Sequence, residues 1–228
     1  MKLSDLDSYA EGKILAGCID HTGYVVINNP ERHNAVSLSM YEAAAEVVEA
    51  MASDDNVRLL ILRGAGGKAF ASGADISKFE EERSSEAQVA TYTAASTRFY
   101  NAVFTFPKPT IAQITGYCIG GGMGLAVCCD VRLCEDKSRF AVPAARLGLG
   151  YGFEGVSRLS ALVGPSMVKE IFFTARQFTS QEAYDMGLVN RVLPGHMLEA
   201  YVADYAKRIA ENAPMTMASV KAITADIQ

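Results

Sequence analysis

The chain has 228 residues, half of them apolar, enough for a substantial core in one large or two small domains, which excludes a disordered or collagen-like polypeptide. Lys+Arg 21 against Asp+Glu 26 leaves a formal charge of −5, which argues against a protein built to neutralise nucleic-acid phosphates but leaves room for a local pocket that takes an anionic small molecule. The opening MKLSDLDSYAEGK lacks the apolar stretch of a secretion signal, and the most continuous apolar run, Ile119–Cys129, is broken by glycines and too short to span a bilayer; the reading is a soluble, cytoplasmic protein with no membrane partner.

Ile14–Ile19 and Tyr24–Asn28 are β-branched runs separated by Asp20-His21-Thr22-Gly23, which predicts a hairpin ended by Asn28-Asn29-Pro30. From Ser39 the residues Met40, Ala43, Ala44, Val47, Val48 and Met51 recur at helical spacing, with Ser37 or Ser39 as N-cap. Val57–Arg63 is a nearly continuous apolar strand expected to be covered on both faces. A helix and a strand follow, then a polar helical stretch from Ser84 to about Phe104 and a strand at Thr110–Thr115. Gly120–Cys129 reads as a helix leaving directly from a glycine run, and Val131–Cys134 as a further strand. This alternation is that of an α/β protein. The last third is mostly helical, with a capping box at Thr179-Ser180-Gln181-Glu182 and Gly187 in the position that ends a helix. Helical spacing persists through Val220, Ile223 and Ile227, so the chain is expected to stop inside a helix, with residues missing beyond Gln228.

The five cysteines, Cys18, Cys118, Cys128, Cys129 and Cys134, are odd in number and form no C-x-x-C pair, which favours reduced, buried thiols over a disulfide framework. The three histidines, His21, His33 and His196, lie far apart without acidic residues at zinc-ligand spacing, so no metal site is expected.

Gly64-Ala65-Gly66-Gly67-Lys68-Ala69 follows a strand and matches the relaxed dinucleotide pattern G-x-G-x-x-A. It fails the rest of that motif, because Phe70–Asp75 continues as loop and the acids at the required distance, Glu80-Glu81-Glu82, fall in a charged run. A more coherent candidate is the pair of loops Ser72-Gly73-Ala74-Asp75 and Gly120-Gly121-Gly122-Met123, each after a strand and each leading toward a helix. Glycine there lets a ligand approach backbone N–H groups with no β-carbon in the way, and two such groups on one oxygen would stabilise an enolate formed from a thioester. The spacing alone is equally compatible with glycines that serve only tight packing at two strand–helix turns.

Asn29-Pro30-Glu31-Arg32-His33-Asn34-Ala35, Phe70-Ala71-Ser72-Gly73-Ala74-Asp75-Ile76, and Gly116–Gly124 followed by Cys129-Asp130 resemble, in order, the signatures of the enoyl-CoA hydratase/isomerase (crotonase) superfamily. Leu147-Gly148-Leu149 and Gly187-Leu188-Val189-Asn190 fit the same order. The resemblance implies a spiral of β-β-α turns over residues 1–190 and a helical C-terminal region, 191–228, that builds a homotrimer or a dimer of trimers. It also implies an oxyanion hole made by the N–H groups of Ala74 and Gly121, and a CoA-binding surface at Arg32, His33 and Ala35, with Ser72, Ile76 and Gly120 beside the pantetheine and thioester. Coenzyme A would arrive as part of the substrate; no separate cofactor is implied.

The chain departs from the family where hydratases carry two glutamates that hold water: these positions are Gly124 and Ala144, and neither residue can move a proton. Hydration is therefore disfavoured relative to decarboxylation or double-bond isomerisation. Tyr151 matches the tyrosine of the methylmalonyl-CoA decarboxylases of this superfamily, as does the stretch Met167–Ala175, although those enzymes have histidine at the position of Ala74. Tyr151 could instead be a packed aromatic. Glu154 lies close to where isomerases place a single carboxylate, and it also forms an i,i+4 pair with Arg158 that would explain its charge without catalysis. Two further readings stand beside the first: a hydratase or thioester hydrolase that uses Glu154, and a non-catalytic acyl-CoA-binding or assembly protein.

Overall fold

The computed structural model describes residues 2–75 and 84–227. Its chain order is β1 (Asp7–Tyr9), β2 (Ile14–Ile19), β3 (Thr22–Ile27), α1 (Leu38–Ser53), β4 (Leu59–Gly64), β5 (Ala69–Ala71), α2 (Glu86–Phe104), β6 (Thr110–Ile114), β7 (Tyr117–Ile119), α3 (Gly121–Ala126), β8 (Val131–Glu135), β9 (Arg139–Ala141), α4 (Ala144–Leu147), α5 (Phe153–Thr174), β10 (Phe178–Thr179), α6 (Ser180–Asp185), β11 (Arg191–Leu193), α7 (Gly195–Glu211) and α8 (Pro214–Ile227). The hairpin expected at the start is β2 on β3, antiparallel, with Ile14 opposite Ile27.

Three successive units each give one strand to each of two sheets. β4, β6 and β8 run parallel in a seven-stranded sheet of order β1-β2-β3-β4-β6-β8-β11, while β5, β7 and β9 run parallel in a four-stranded sheet of order β10-β9-β7-β5. This is the spiral of β-β-α turns. The link between β6 and β7 passes through Gly116 at φ +63°, where a β-carbon would stand 1.9 Å from the Lys68 carbonyl oxygen, so only glycine fits.

Strand β4 shows why its sequence is continuously apolar. Leu60 and Leu62 point into the main core with Phe70, Phe99 and Phe140, while Leu59 and Ile61 point to the opposite face. There they meet Leu198, Val202 and Ala206 of α7. The boundary drawn at residue 190 is thus not a packing boundary: β11 pairs with β8 in the main sheet, and α7 covers that sheet's second face. The helix expected from Gly120 is confined to Gly121–Ala126, with Gly120 itself at φ +56° and ψ −119°, outside any helical conformation. α5 carries a break at Gly164 (φ +76°, ψ 160°), just before Pro165. The capping box appears as expected, with the Thr179 hydroxyl accepting from the Glu182 N–H and Glu182 receiving the Thr179 N–H at 2.7 Å. All five cysteines are free; four are buried, but Cys18 is exposed on β2, so the expected burial fails there.

Candidate functional site

The two glycine loops meet. A β-carbon on Gly73 (φ +93°) would stand 3.0 Å from the Gly121 nitrogen, and one on Gly121 would stand 3.3 Å from the Gly73 α-carbon. The loop after β5 is registered by a parallel bridge between Ala74 and Val36: the Val36 N–H donates to the Gly73 carbonyl at 2.8 Å, and the Asp75 N–H donates to the Val36 carbonyl at 3.1 Å. In such a bridge the neighbours of Ala74 make the bonds, so its own N–H points to the other side. Gly121 opens α3, where the first N–H groups have no intrahelical acceptor. Among the described residues, the N–H of Ala74 and that of Gly121 donate to no protein acceptor. One oxygen carrying developing negative charge is what such a pair of donors can receive.

Three tyrosine hydroxyls surround this junction. Tyr151, just before α5, donates to the Gly120 carbonyl at 3.2 Å, and Tyr100 on α2 donates to the Gly121 carbonyl at 3.0 Å. The Tyr41 hydroxyl on α1 lies 3.2 Å from that of Tyr100 and, with the Tyr100 proton already committed, donates to it. Burial pushes the Tyr151 phenol up to about 12 and holds those of Tyr41 and Tyr100 well above the ordinary tyrosine value. All three are therefore neutral donors near neutral pH rather than bases.

Gly124 sits one turn into α3 and has room: a β-carbon there would lie 3.7 Å from the Tyr151 hydroxyl and 3.8 Å from the Tyr100 ring. Gly122, by contrast, is a packing glycine whose β-carbon would stand 2.1 Å from the Ala71 carbonyl oxygen. Ala144, buried at the start of α4, follows Pro143, whose Cδ lies 3.9 Å from the β-carbon position of Gly120.

Arg32, His33 and Ser72 gather at one rim of the loops. The Ser72 hydroxyl donates to the Arg32 carbonyl at 3.3 Å, and His33, exposed and left-handed at φ +52°, packs edge-on against Tyr117. Ala35 is buried, and its carbonyl accepts from the Asn29 side chain at 2.8 Å. Fully buried Asn34 ties the same loop to the glycine turn through the carbonyls of Ala65 and Ala69, at 3.0 and 2.7 Å. Ile76 lies outside the described residues. Glu154 stands apart from this cluster's hydrogen bonds: its side chain is 59% exposed at the first turn of α5, 3.9 Å from Arg158. The structure thus favours its ion-pair reading. Asp130 is structural, its carboxylate receiving the Thr110 N–H, the Thr110 hydroxyl and Lys221. Among the described residues, no group of three His, Cys, Asp or Glu side chains could hold a metal ion, and no helix is long and apolar enough to cross a membrane.

A family model described as enoyl-CoA hydratase/isomerase matches residues 21–226. The chain belongs to the enoyl-CoA hydratase/isomerase family. It is 33% identical over 217 residues to a short-chain-enoyl-CoA hydratase of Clostridium acetobutylicum, covering 95% of this chain and 79% of that one. A crotonyl-CoA hydratase of Syntrophomonas wolfei is 35% identical over 196 residues, 86% of this chain and 75% of its own. Among solved structures, an enoyl-CoA hydratase/carnithine racemase from Magnetospirillum magneticum superposes with a TM-score of 0.91 at 36% identity, covering 94% of this chain and 80% of that one. The α/β spiral of this chain is the fold of that neighbour.

Within this family fold, the sequence reading found both glycine loops and Tyr151 but missed Tyr41 and Tyr100. Both occupy core-facing positions of long helices, where an aromatic at helical spacing reads as packing, and nothing local marks the hydroxyl end. Arg158 was read only as the partner of Glu154. It also donates to the Asn101 side chain at 2.6 Å, contacts the Cys128 sulfur at 3.4 Å and lies over the Phe104 ring, 4.1 Å from its centre.

Proposed function

We propose that this chain binds an acyl-CoA thioester across the Ser72–Asp75 and Gly120–Met123 loops and stabilises its enolate through the N–H groups of Ala74 and Gly121. The reaction we assign is decarboxylation or double-bond isomerisation rather than hydration. The observation that carries this reading is the chemistry around residue 124: a glycine with room for no more than ordinary contacts, a protonated Tyr151 phenol 3.7 Å from its β-carbon position, and alanine at 144. Hydration needs a positioned base and acid, and neither position supplies one. Decarboxylation breaks the bond to the leaving carboxylate, the electron pair enters the enolate held by the two N–H groups, CO₂ departs, and a proton is then delivered to the α-carbon. The proton comes from solvent, and the side chains need only orient the carboxylate, which the neutral Tyr151 phenol does by turning its single O–H from the Gly120 carbonyl to the substrate. Arg32, His33, Ala35, Ser72, Ile76 and Gly120 would hold the CoA portion, with Arg32 a fitting partner for phosphate by its charge and planar donors.

A second reading is favoured by the names of the curated relatives, which are hydratases. In it, Glu154 activates water for hydration or thioester hydrolysis. In both readings the substrate carries its own CoA, and the protein works as a cytoplasmic homotrimer or dimer of trimers. The deciding experiment is incubation with crotonyl-, 3-enoyl-, methylmalonyl- and aromatic acyl-CoAs, with products identified by mass. Loss of CO₂ or a shifted double bond supports the first reading, and addition of water supports the second. Micromolar binding of acetyl-CoA by calorimetry with no turnover of any substrate supports a binding protein.

A further inference from the structure

α2 reaches both halves of the proposed oxyanion hole without contributing a donor to it. In its second turn the Tyr92 hydroxyl donates to the Val36 carbonyl at 3.0 Å, and further along the Tyr100 hydroxyl donates to the Gly121 carbonyl, also at 3.0 Å. Val36 is the residue whose bridge sets Ala74: its carbonyl also receives the Asp75 N–H, and its own N–H donates to the Gly73 carbonyl. One phenol therefore ends on the segment that orients the Ala74 N–H, and the other on the residue that owns the second N–H.

The spacing of those two N–H groups decides whether both reach one oxygen, and the sheet does not fix it. The ladder between β5 and β7 shifts register between Ala69 and Ala71, just before the first loop. Gly73 and Gly120, at φ +93° and +56°, leave each loop the backbone freedom of glycine. α2 supplies the missing brace. Its buried Tyr92, Ala95, Phe99 and Val103 seat it in the main core, and the two phenols leave it about 12 Å apart along the axis. Tyr41, buried on α1, closes the frame: its ring meets those of Tyr92 and Tyr100 edge-on at 5.4 and 5.9 Å, and its hydroxyl lies 3.2 Å from that of Tyr100. Packing alone is served by phenylalanine, as at the fully buried Phe99 between them, so the hydroxyls answer a further demand.

We propose that Tyr92 and Tyr100 are positioning residues for the enolate: through the Val36 and Gly121 carbonyls they hold the Ala74 and Gly121 N–H groups at the spacing that lets both reach a single oxygen. The inference rests on the acyl-CoA reading above. Donors at fixed spacing count most when the oxygen carries charge, so losing that spacing weakens the hold on the enolate and spares the neutral thioester.

The test uses acetoacetyl-CoA, whose α-proton lies between two carbonyls and whose enolate absorbs in the near ultraviolet. Affinity measured below the transition reports the neutral thioester. The pH at which the bound ligand enolises reports the additional hold on the enolate, one pH unit being about a tenfold difference. On the unmodified protein that pH should lie about 1–2 units below that of the free ligand, as hydrogen bonds to a charged form require. Tyr92→Phe and Tyr100→Phe should each raise it by about 0.5–1 unit, roughly a three- to tenfold loss of enolate affinity, the effect of one neutral hydrogen bond. Affinity for the neutral form should stay within about twofold. Val103→Ala, on the same helix but away from both carbonyls, should lower the urea midpoint and leave the enolisation pH in place. An enolisation pH that does not rise in either one of the phenylalanine variants overturns the inference, because a frame needs both ends. A rise matched by Val103→Ala, or an equal loss of affinity for the neutral form, marks general loosening and also overturns it. Binding by the unmodified protein with no lowering of the enolisation pH removes the two N–H groups as enolate donors, and this inference with them. Absence of binding removes the acyl-CoA reading itself.

Discussion

The hydroxyl of Tyr151 lies 3.7 Å from the point a β-carbon on residue 124 would occupy, so a phenol borders the space where family hydratases place a carboxylate. The exchange is chemical as well as steric, because a phenol held near 12 donates a hydrogen bond and does not take a proton near neutral pH. The unmodified protein should therefore show negligible hydration of crotonyl-CoA. Gly124→Glu together with Ala144→Glu should raise that rate by at least about 10², the contribution of one general acid or base. Rapid hydration by the unmodified chain, followed by loss of the enoyl absorbance, contradicts the assignment.

Burial of Tyr41 and Tyr100 also sets an alkaline limit on stability. Each of these phenols titrates higher in the folded chain than the ordinary value of about 10, so up to that pH both states hold the proton and they make no difference. Above it the unfolded chain loses protons that the folded chain keeps, and stability falls as pH rises. The buried thiols of Cys118, Cys128, Cys129 and Cys134 are raised by the same desolvation, so the urea midpoint should be level from neutral pH to about 9, decline above it and decline more steeply above about 10. In Tyr100→Phe the decline should be shallower. A midpoint that stays level well above that pH would show these phenols to be exposed.

The glycines of α3 have unequal duties. Gly122→Ala places a methyl 2.1 Å from the Ala71 carbonyl oxygen on the neighbouring strand and must shift backbone, whereas Gly124→Ala meets only ordinary contacts at 3.7 and 3.8 Å. The first should destabilise by about 1–3 kcal/mol and the second should be neutral or slightly stabilising. Denaturant unfolding of the two variants decides, and equal losses would show that the two sites are equally packed.

This inequality marks the limit of what the sequence reveals. The glycine runs were legible because positive φ and close backbone approach are local demands, met by Gly73 at φ +93° and Gly120 at φ +56°. Strand β4 was legible for the same kind of reason: a continuously apolar strand has to be covered twice, and Leu60 and Ile61 do face opposite layers. Which of three adjacent glycines touches Ala71 depends instead on how the second sheet stacks, and one chain of letters does not give that. The Tyr100 hydroxyl and the Arg158 guanidinium are likewise placed by packing of α2 and α5 against α3, over sequence separations of 21 and 30 residues. α7 was read as an assembly element, but its apolar stripe is taken up by Leu59, Ile61 and Leu133 of its own chain.

The assembly proposed above would then use other surfaces. Phe153, Phe173 and Met215 are 86, 77 and 80% exposed, large apolar groups that a monomer would leave in water. The expected species is a homotrimer or dimer of trimers, read by light scattering at micromolar concentration. Phe153→Ser with Phe173→Ser should shift the distribution toward monomer. A monomeric unmodified chain refutes the expectation.

The proposed oxyanion hole is testable only if the loss of an N–H is separated from the arrival of a β-carbon. Gly121 opens α3, a position that tolerates proline in the backbone, so Gly121→Pro deletes the donor without breaking the helix. A β-carbon there, however, would sit 2.8 Å from the Tyr100 hydroxyl and 3.3 Å from the Gly73 α-carbon, and alanine and proline both bring it. Removing that hydroxyl first, in Tyr100→Phe, relieves the closer contact. The informative comparison is therefore Gly121→Ala against Gly121→Pro in the Tyr100→Phe background, on whichever substrate the acyl-CoA panel identifies. The alanine variant retains the donor and sets the cost of the methyl; the proline variant should be slower by a further factor of about 10²–10³ in kcat, with acyl-CoA affinity nearly unchanged between the two. Donors that act only on the developing enolate give that pattern, since the ground-state carbonyl gains little from them. If the two variants turn over alike, the Gly121 N–H does not hold the charge, and stabilisation of the enolate has to come from Ala74 and the surrounding phenols.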